Sequence, residues 1–261
     1  STDHTITAIR EPLLQDPDDE VRSRAFSTLF AQTRQNRVDM INAYLLDEDP
    51  AVNGAALVGL ATEACDNPDM QAMFNLQERL QEKIEQSKKL NAPKDLEAFK
   101  IMIARTIGYG KLAAFYPILE DYMKDLSPAV VKQAILSAGS SQAPCFIKTL
   151  LSFLPNKSTR SAARKALARY EPAELLPILE DVSRAPETKT DLLIQLPALA
   201  ETMETQQAVD YLFALVQQED PIVKMEALES LHKIKSRFPH LTIGWKRLIP
   251  IVTGDIDLYK D

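Results

Sequence analysis

Histidine is nearly absent: His4, His232 and His240 are all that occur in 261 residues. None stands in a His-x-x-x-His pair, and no cysteine or carboxylate lies beside them at metal-ligand spacing. Cysteine is equally sparse. Cys65 and Cys145 are eighty residues apart, with no Cys-x-x-Cys, so they read as buried reduced thiols of a reducing compartment. Only seven glycines occur. No Gly-x-Gly-x-x-Gly or Walker loop exists, and Gly108-Tyr109-Gly110 reads as a helix end. The net charge is −7 with a single tryptophan, Trp245, which speaks against a general nucleic-acid binder with a basic, aromatic groove. No apolar run reaches the length of a membrane span, and no signal peptide is visible. The chain opens with Ser1, as expected of a piece excised from a longer protein. Acids gather at turns and helix starts rather than as apolar-flanked pairs suited to acid–base work. No catalytic residue, cofactor or metal ligand is expected.

What is present is a repeated figure. In Asp220-Pro221-Ile222-Val223, an acid and a proline open a helix that carries Val223, Ala227 and Leu231. Spacing of four places these three on one face. Proline is tolerated at the first turn, where its missing N–H has no intrahelical partner. The figure recurs as Val21/Ala25/Leu29, Val52/Ala56/Leu60, Phe99/Ile103/Ile107, Val130/Ala134/Ala138, Thr159/Ala163/Leu167 and Thr188/Leu192/Leu196. Its first members are 31, 47, 31, 29, 29 and 35 residues apart. A period near thirty marks a helical repeat array.

The expected fold is all-α: an α–α superhelix, or solenoid, of about seven helix pairs. One repeat domain over 1–261 is expected, with units at about 5–34, 37–65, 69–110, 112–140, 142–170, 172–202 and 204–237 and a cap at 241–259. The spacing predicts one unbroken helix over about 66–90, roughly 30 Å long at 1.5 Å per residue, with its far end projecting beyond the stack. It predicts another over 187–201. Tyr116-Pro117-Ile118-Leu119-Glu120-Asp121 nearly coincides with Leu176-Pro177-Ile178-Leu179-Glu180-Asp181, a direct internal repetition.

The units resemble HEAT repeats, above all the short bacterial HEAT-like kind. The residues that carry the likeness are the turn prolines Pro17, Pro50, Pro128, Pro186 and Pro221, followed by the Val-x-x-x-Ala-x-x-x-Leu helix or, after Pro128 and Pro186, by its variants Val130/Ala134/Ala138 and Thr188/Leu192/Leu196. A family feature is a basic residue just after the valine, held here by Arg22, Lys100, Arg160, Lys189 and Lys224. Units two and four depart, with Asn53 and Val131. The resemblance implies a right-handed superhelix with the second helices on its concave side. The end of the chain also resembles HEAT regions attached to bacterial nucleotide-translocase-like transporters, in Leu228-Glu229-Ser230-Leu231-His232-Lys233-Ile234, Phe238-Pro239 and Asp257-Leu258-Tyr259. That likeness implies a cytoplasmic location, on the cytoplasmic side of a membrane protein if the chain is part of one.

One segment stands out in charge. Lys157, Arg160, Arg164, Lys165 and Arg169 lie within thirteen residues that hold no acid. Like charges at i, i+4 cost a helix about 0.2–0.5 kcal/mol each, so local stability does not favour the arrangement. Two readings stand: pairing with acids of neighbouring units (Asp121, Glu187, Asp191), or a patch for an anionic partner. Arg105 and Lys132 hold comparable positions in units three and four, so the candidate patch is Arg105, Lys132, Arg160, Arg164, Lys165 and Arg169. Counting 100° per residue from each valine, offsets 2, 3 and 6 face the groove, and Val58, Ile101, Leu136 and Ile194 are apolar candidates for contact. The function expected is a noncatalytic scaffold that binds a protein, a peptide or another domain of its own chain, with no DNA. A HEAT-like enzyme of the DNA-base glycosylase or chromophore lyase type is the alternative.

Overall fold

A computed structural model describes residues 12–33 and 36–244. The fold is all-α: 71% of these residues are helical and none is in a strand. The chain divides after Ala143 into two compact units, at the junction of the fourth and fifth repeats.

The first unit holds eight described helices: α1 (Asp19–Gln32), α2 (Arg37–Leu45), α3 (Pro50–Glu63), α4 (Pro68–Met73), α5 (Leu76–Ser87), α6 (Pro93–Tyr109), α7 (Tyr116–Tyr122) and α8 (Pro128–Ser141). The second helices of successive repeats pack directly on one another, α1 on α3, α3 on α6 and α6 on α8. Their starts are chemically marked. The carboxylates of Asp18 and Asp49 accept N–H groups of the first turns of α1 and α3, and the Ser127 hydroxyl accepts from Val130 in α8. Such caps satisfy donors that have no partner within the helix. Pro50 and Pro128 take the first helical position; Pro17 lies two residues before α1.

The core follows the four-residue figure. Ala56, Leu60, Ile103, Ile107, Val130, Ala134 and Ala138 are fully buried, and Phe26 and Phe30 fill the space beside them. Two glycines set how closely the backbones approach. A Cβ on Gly59 would lie 2.7 Å from Cβ of Phe26 and 2.9 Å from the Ser27 nitrogen. A Cβ on Gly108 would lie 2.3 Å from the Ser137 carbonyl oxygen. Neither is the left-handed end residue that the sequence suggested. That position falls to Lys111, at φ 51°, with Leu112 N–H donating to Ile107 C=O and Lys111 N–H to Gly108 C=O, a Schellman closure.

The long helix expected over 66–90 is broken. Asn75 adopts the left-handed conformation at φ 49°, one that asparagine tolerates better than most residues. The break turns Leu76, Leu80 and Ile84 into the core. The second piece is 12 residues long, about 18 Å, and does not extend as the unbroken helix would have.

The second unit holds α9 (Ile147–Ser152), α10 (Arg160–Leu167), α11 (Pro172–Arg184), α12 (Thr190–Leu193), α13 (Pro197–Ala200), α14 (Gln206–Val216) and α15 (Pro221–Arg237). Here the first helices stack in sequence, α9 on α11 and α11 on α14, while α13 and α14 pack on α15. Val223, Ala227 and Leu231 of α15 are fully buried, as are Ala163 and Leu167 of α10. The single helix expected over 187–201 is instead two four-residue pieces. Pro197 has no N–H to continue the ladder, and Gln195 and Leu196 donate three residues back, to Leu192 and Leu193. Leu241 and Ile243 open the expected cap and are buried. The Gln206 side chain donates to the Thr242 carbonyl and accepts from its N–H. The remainder of the cap and most of the first expected helix lie outside the described residues.

Candidate functional site

In four of the repeats the residue after the first member of the figure has a local task. Arg22 donates to the carbonyl of Asp16 and Asn53 to that of Asp47 (3.0 Å), each six residues upstream. Arg160 donates from Nε to Leu154 C=O (2.7 Å) and from Nη2 to Pro155 C=O (2.8 Å). These carbonyls lie just past the end of the preceding helix, where partners are scarce. Asn53, a departure from the basic pattern, thus does the work of an arginine. Lys100 behaves differently. It pairs with Asp125 in the next turn and lies 5.8 Å from the centre of the Tyr122 ring. Burial alone would raise the Asp125 carboxyl, but Lys100 and the Ser127 N–H outweigh it and hold the group below the usual range.

The candidate basic residues do not share one environment. Arg105 and Lys132 belong to the first unit and the other four to the second. Arg160 is held by backbone carbonyls, and Arg164 donates to the buried Gln195 amide at 3.0 Å. Neither pairs with Asp121, Glu187 or Asp191. Arg105 Nε donates to Gln133, an arginine–amide bridge of the same kind. Lys165 and Arg169 are exposed, as is Lys132. Lys132 and Lys165 have no hydrogen-bond or ion-pair partner among the described residues.

The first unit holds a cleft of about 470 Å³ over α1, α3 and α6. It is built from small side chains. At offsets 2, 3 and 6 from the valine, α3 presents Gly54, Ala55 and Val58, where α8 presents Lys132, Gln133 and Leu136. Ser23, Met102 and Arg105 line the cleft from the same set of offsets on the flanking helices. Val58 was expected as a contact and is a lining residue. Phe99, the first member of the figure in the third unit, is half-buried and lines the cleft. Its ring is 5.7 Å from Nζ of Lys83, an ammonium whose pKa burial lowers. Asp19, Asp49 and Asp95 also line it. In the sequence they read only as helix-start acids, which are commonplace; the further signal is that three successive second helices each have one at the cap or in the first turn.

The cysteines correct the expectation of buried thiols. Cys145 is exposed and Cys65 only partly covered. Cys145 sits in a 3-10 turn, Pro144–Phe146, whose buried member is Phe146. The Cys65 thiol donates to Asp66 at 3.4 Å; burial, then that carboxylate, push its pKa up. No group of three His, Cys, Asp or Glu side chains able to hold a metal occurs among the described residues, and no described helix is long and apolar enough to cross a membrane.

No protein-family model matches the chain, and no curated protein matches it. Two crystal structures of engineered proteins from the Northeast Structural Genomics Consortium are similar. One is 16% identical, covers 87% of this chain and 95% of its own, with a TM-score of 0.34. The other is 15% identical, covers 87% of this chain and 67% of its own, with a TM-score of 0.37.

Proposed function

We propose that the chain is a noncatalytic binding module of the HEAT-repeat kind, engaging a protein, a peptide or another domain of its own chain through the cleft of the first unit. The observation that carries this reading is the substitution of small residues at the groove-facing positions of α3, which opens an apolar concavity among helices that are otherwise close-packed. About 470 Å³ is enough for one or two large side chains, and it falls within the range of ordinary ligand sites. A rigid helical wall lowers the ordering cost of binding. The cytoplasmic side of a larger membrane-associated protein is the setting we propose, on the likeness of the chain's end to transporter-linked repeats.

Ala98 tests the proposal, because it is exposed and lines the cleft. Ala98→Trp fills the cavity without entering the helix packing. Proteins cross-linked to the parent chain in an extract of the source cell, and lost with Ala98→Trp, are the expected result. Identical capture by both chains overturns the assignment to the cleft.

A further inference from the structure

The two ends of the cleft differ in charge. Asp19 and Asp49 stand at the starts of α1 and α3, and Asp95 in the first turn of α6, all lining one concavity. Asp19 pairs with Arg22 and Asp49 accepts the Ala51 N–H. Asp95 is exposed and has no partner among the described residues. At the other end stands Arg105. Its Nε is given to Gln133, while its two terminal amino groups have no partner among the described residues. Between these ends, Val58, Phe99 and Met102 supply an apolar floor.

We propose that this cleft takes an extended peptide segment of a partner protein, about four to five residues long, with a cationic group among the three aspartates, a large apolar side chain over Val58 and Met102, and a carboxylate at Arg105. The inference rests on the binding-module reading above. The length follows from geometry. Asp95 and Arg105 are ten residues apart on α6, about 15 Å at 1.5 Å per residue. An extended chain covers that distance in four to five residues at about 3.3 Å each. The direction follows from charge: free guanidinium N–H groups match a carboxylate, and three carboxylates at the other mouth attract a cation and repel phosphate. A nucleic acid, whose backbone is anionic along its whole length, meets the wrong sign at that mouth.

The test is selection of random dodecapeptides displayed on phage against the immobilised chain, followed by affinity measurement on Asp95→Lys and Ala98→Trp. Melting curves confirm that both variants are folded; neither side chain is buried in the packing. Enrichment of basic–apolar–acidic peptides that lose at least tenfold in affinity on both variants is expected. Peptides that bind the parent and Ala98→Trp equally overturn both the inference and the choice of cleft. Peptides that need an open cleft but have no charge order, or ignore Asp95→Lys, overturn the inference and leave the binding module standing. Absence of any enriched peptide overturns both.

Discussion

In the first unit the second helices run 14, 14, 17 and 14 residues; in the second they run 8, then two pieces of 4, then 17. The long set makes direct contact helix to helix, and backbones touch at Gly59 and Gly108. The short set is bridged by polar side chains, Arg164 donating to Gln195 and Ser230 to Glu201, and the first helices of the same unit by Gln218 and Tyr211, which donate to the Ser183 and Leu179 carbonyls. A missing side chain lets one helix approach the next closely and gain dispersion, as Gly59 does against Phe26. Five of the seven glycines, at 54, 59, 108, 110 and 139, fall in the first unit. Polar bridges such as Arg105–Gln133 and Arg164–Gln195 occur in both units, so the same repeat figure yields two kinds of interface that differ in the backbone contact at Gly59 and Gly108.

Both kinds share the buried alanine at the centre of the figure, so the largest effect should not discriminate between them. Ala134→Asp in α8 and Ala163→Asp in α10 each place an unpaired carboxylate at a fully buried site. Each should destabilise by about 4 kcal/mol or more, read as the midpoint of denaturant unfolding. A melt unchanged from the parent in either variant would show that its helix faces the other way. The next effect separates the interfaces. Gly108→Ala drives a methyl group into the Ser137 backbone, which cannot give locally, and should cost about 3 kcal/mol. Gly54→Ala meets only the Met102 side chain at 3.4 Å. Its gain in helix propensity should stabilise by about 0.5 kcal/mol. Equal changes in the two variants would refute backbone approach as the distinguishing feature of this seam.

How much of this was legible beforehand depends on which force decides each feature. The fold class and the buried faces of α8, α10 and α15 were readable, because apolar spacing alone determines them. The breaks were not. Asn75 sits among good helix formers, and only the pull of Leu76 toward the core makes its left-handed turn worthwhile. Pro197 is visible in the sequence, but apolar spacing runs through it, whereas in the fold it separates two helices. Gly108 reads as a helix end in the sequence because its neighbour across the seam, Ser137, is known only from the fold. Of the candidate basic residues, Arg105 alone lines the cleft. Arg160 and Arg164 were readable as cations but not as donors to a carbonyl and an amide, since uncharged partners leave no charge pattern in the sequence.

Those donors set the next prediction. Arg160 makes two charge-assisted bonds to carbonyls; Asn53 donates one neutral bond from the equivalent position and also accepts from the Lys83 ammonium at 2.9 Å. Arg160→Ala should lose about 3 kcal/mol and Asn53→Ala about 2 kcal/mol. A cost for Asn53→Ala above that for Arg160→Ala would reverse the ranking. The pH dependence adds a first-unit contrast. Asp125 is held below its ordinary value, so its stabilising contribution is complete above that value, about 3.9, and is lost as pH falls through the lower folded value. Asp125→Asn should flatten the acid limb of the stability curve; an unchanged limb would place the loss elsewhere. Burial, with Asp125 adding, pushes the Tyr122 hydroxyl up to about 12. The folded chain keeps that proton longer than the unfolded one, so stability should fall as pH rises from about 10 toward 12. Phenolate absorbance checks this directly.

The smallest effect belongs to Lys165, five residues beyond Arg160 and exposed where Arg160 is held. Its ammonium has no partner among the described residues, so no bond is broken on charge reversal. Lys165→Glu should therefore change stability by no more than about 0.5 kcal/mol, the range of surface substitutions away from packed features. Arg160→Glu is the control. It removes both carbonyl bonds and leaves a carboxylate facing two carbonyl oxygens, so it should melt well below Arg160→Ala. If Lys165→Glu instead destabilises as much as Arg160→Glu, the lysine serves the packing of the second unit and is no surface for an anionic partner. If it melts with the parent, its charge is free for recognition. Loss of an anionic peptide's binding in that folded variant, together with weakening of the parent's binding by added salt, would then show that Lys165 contacts a partner rather than the chain itself.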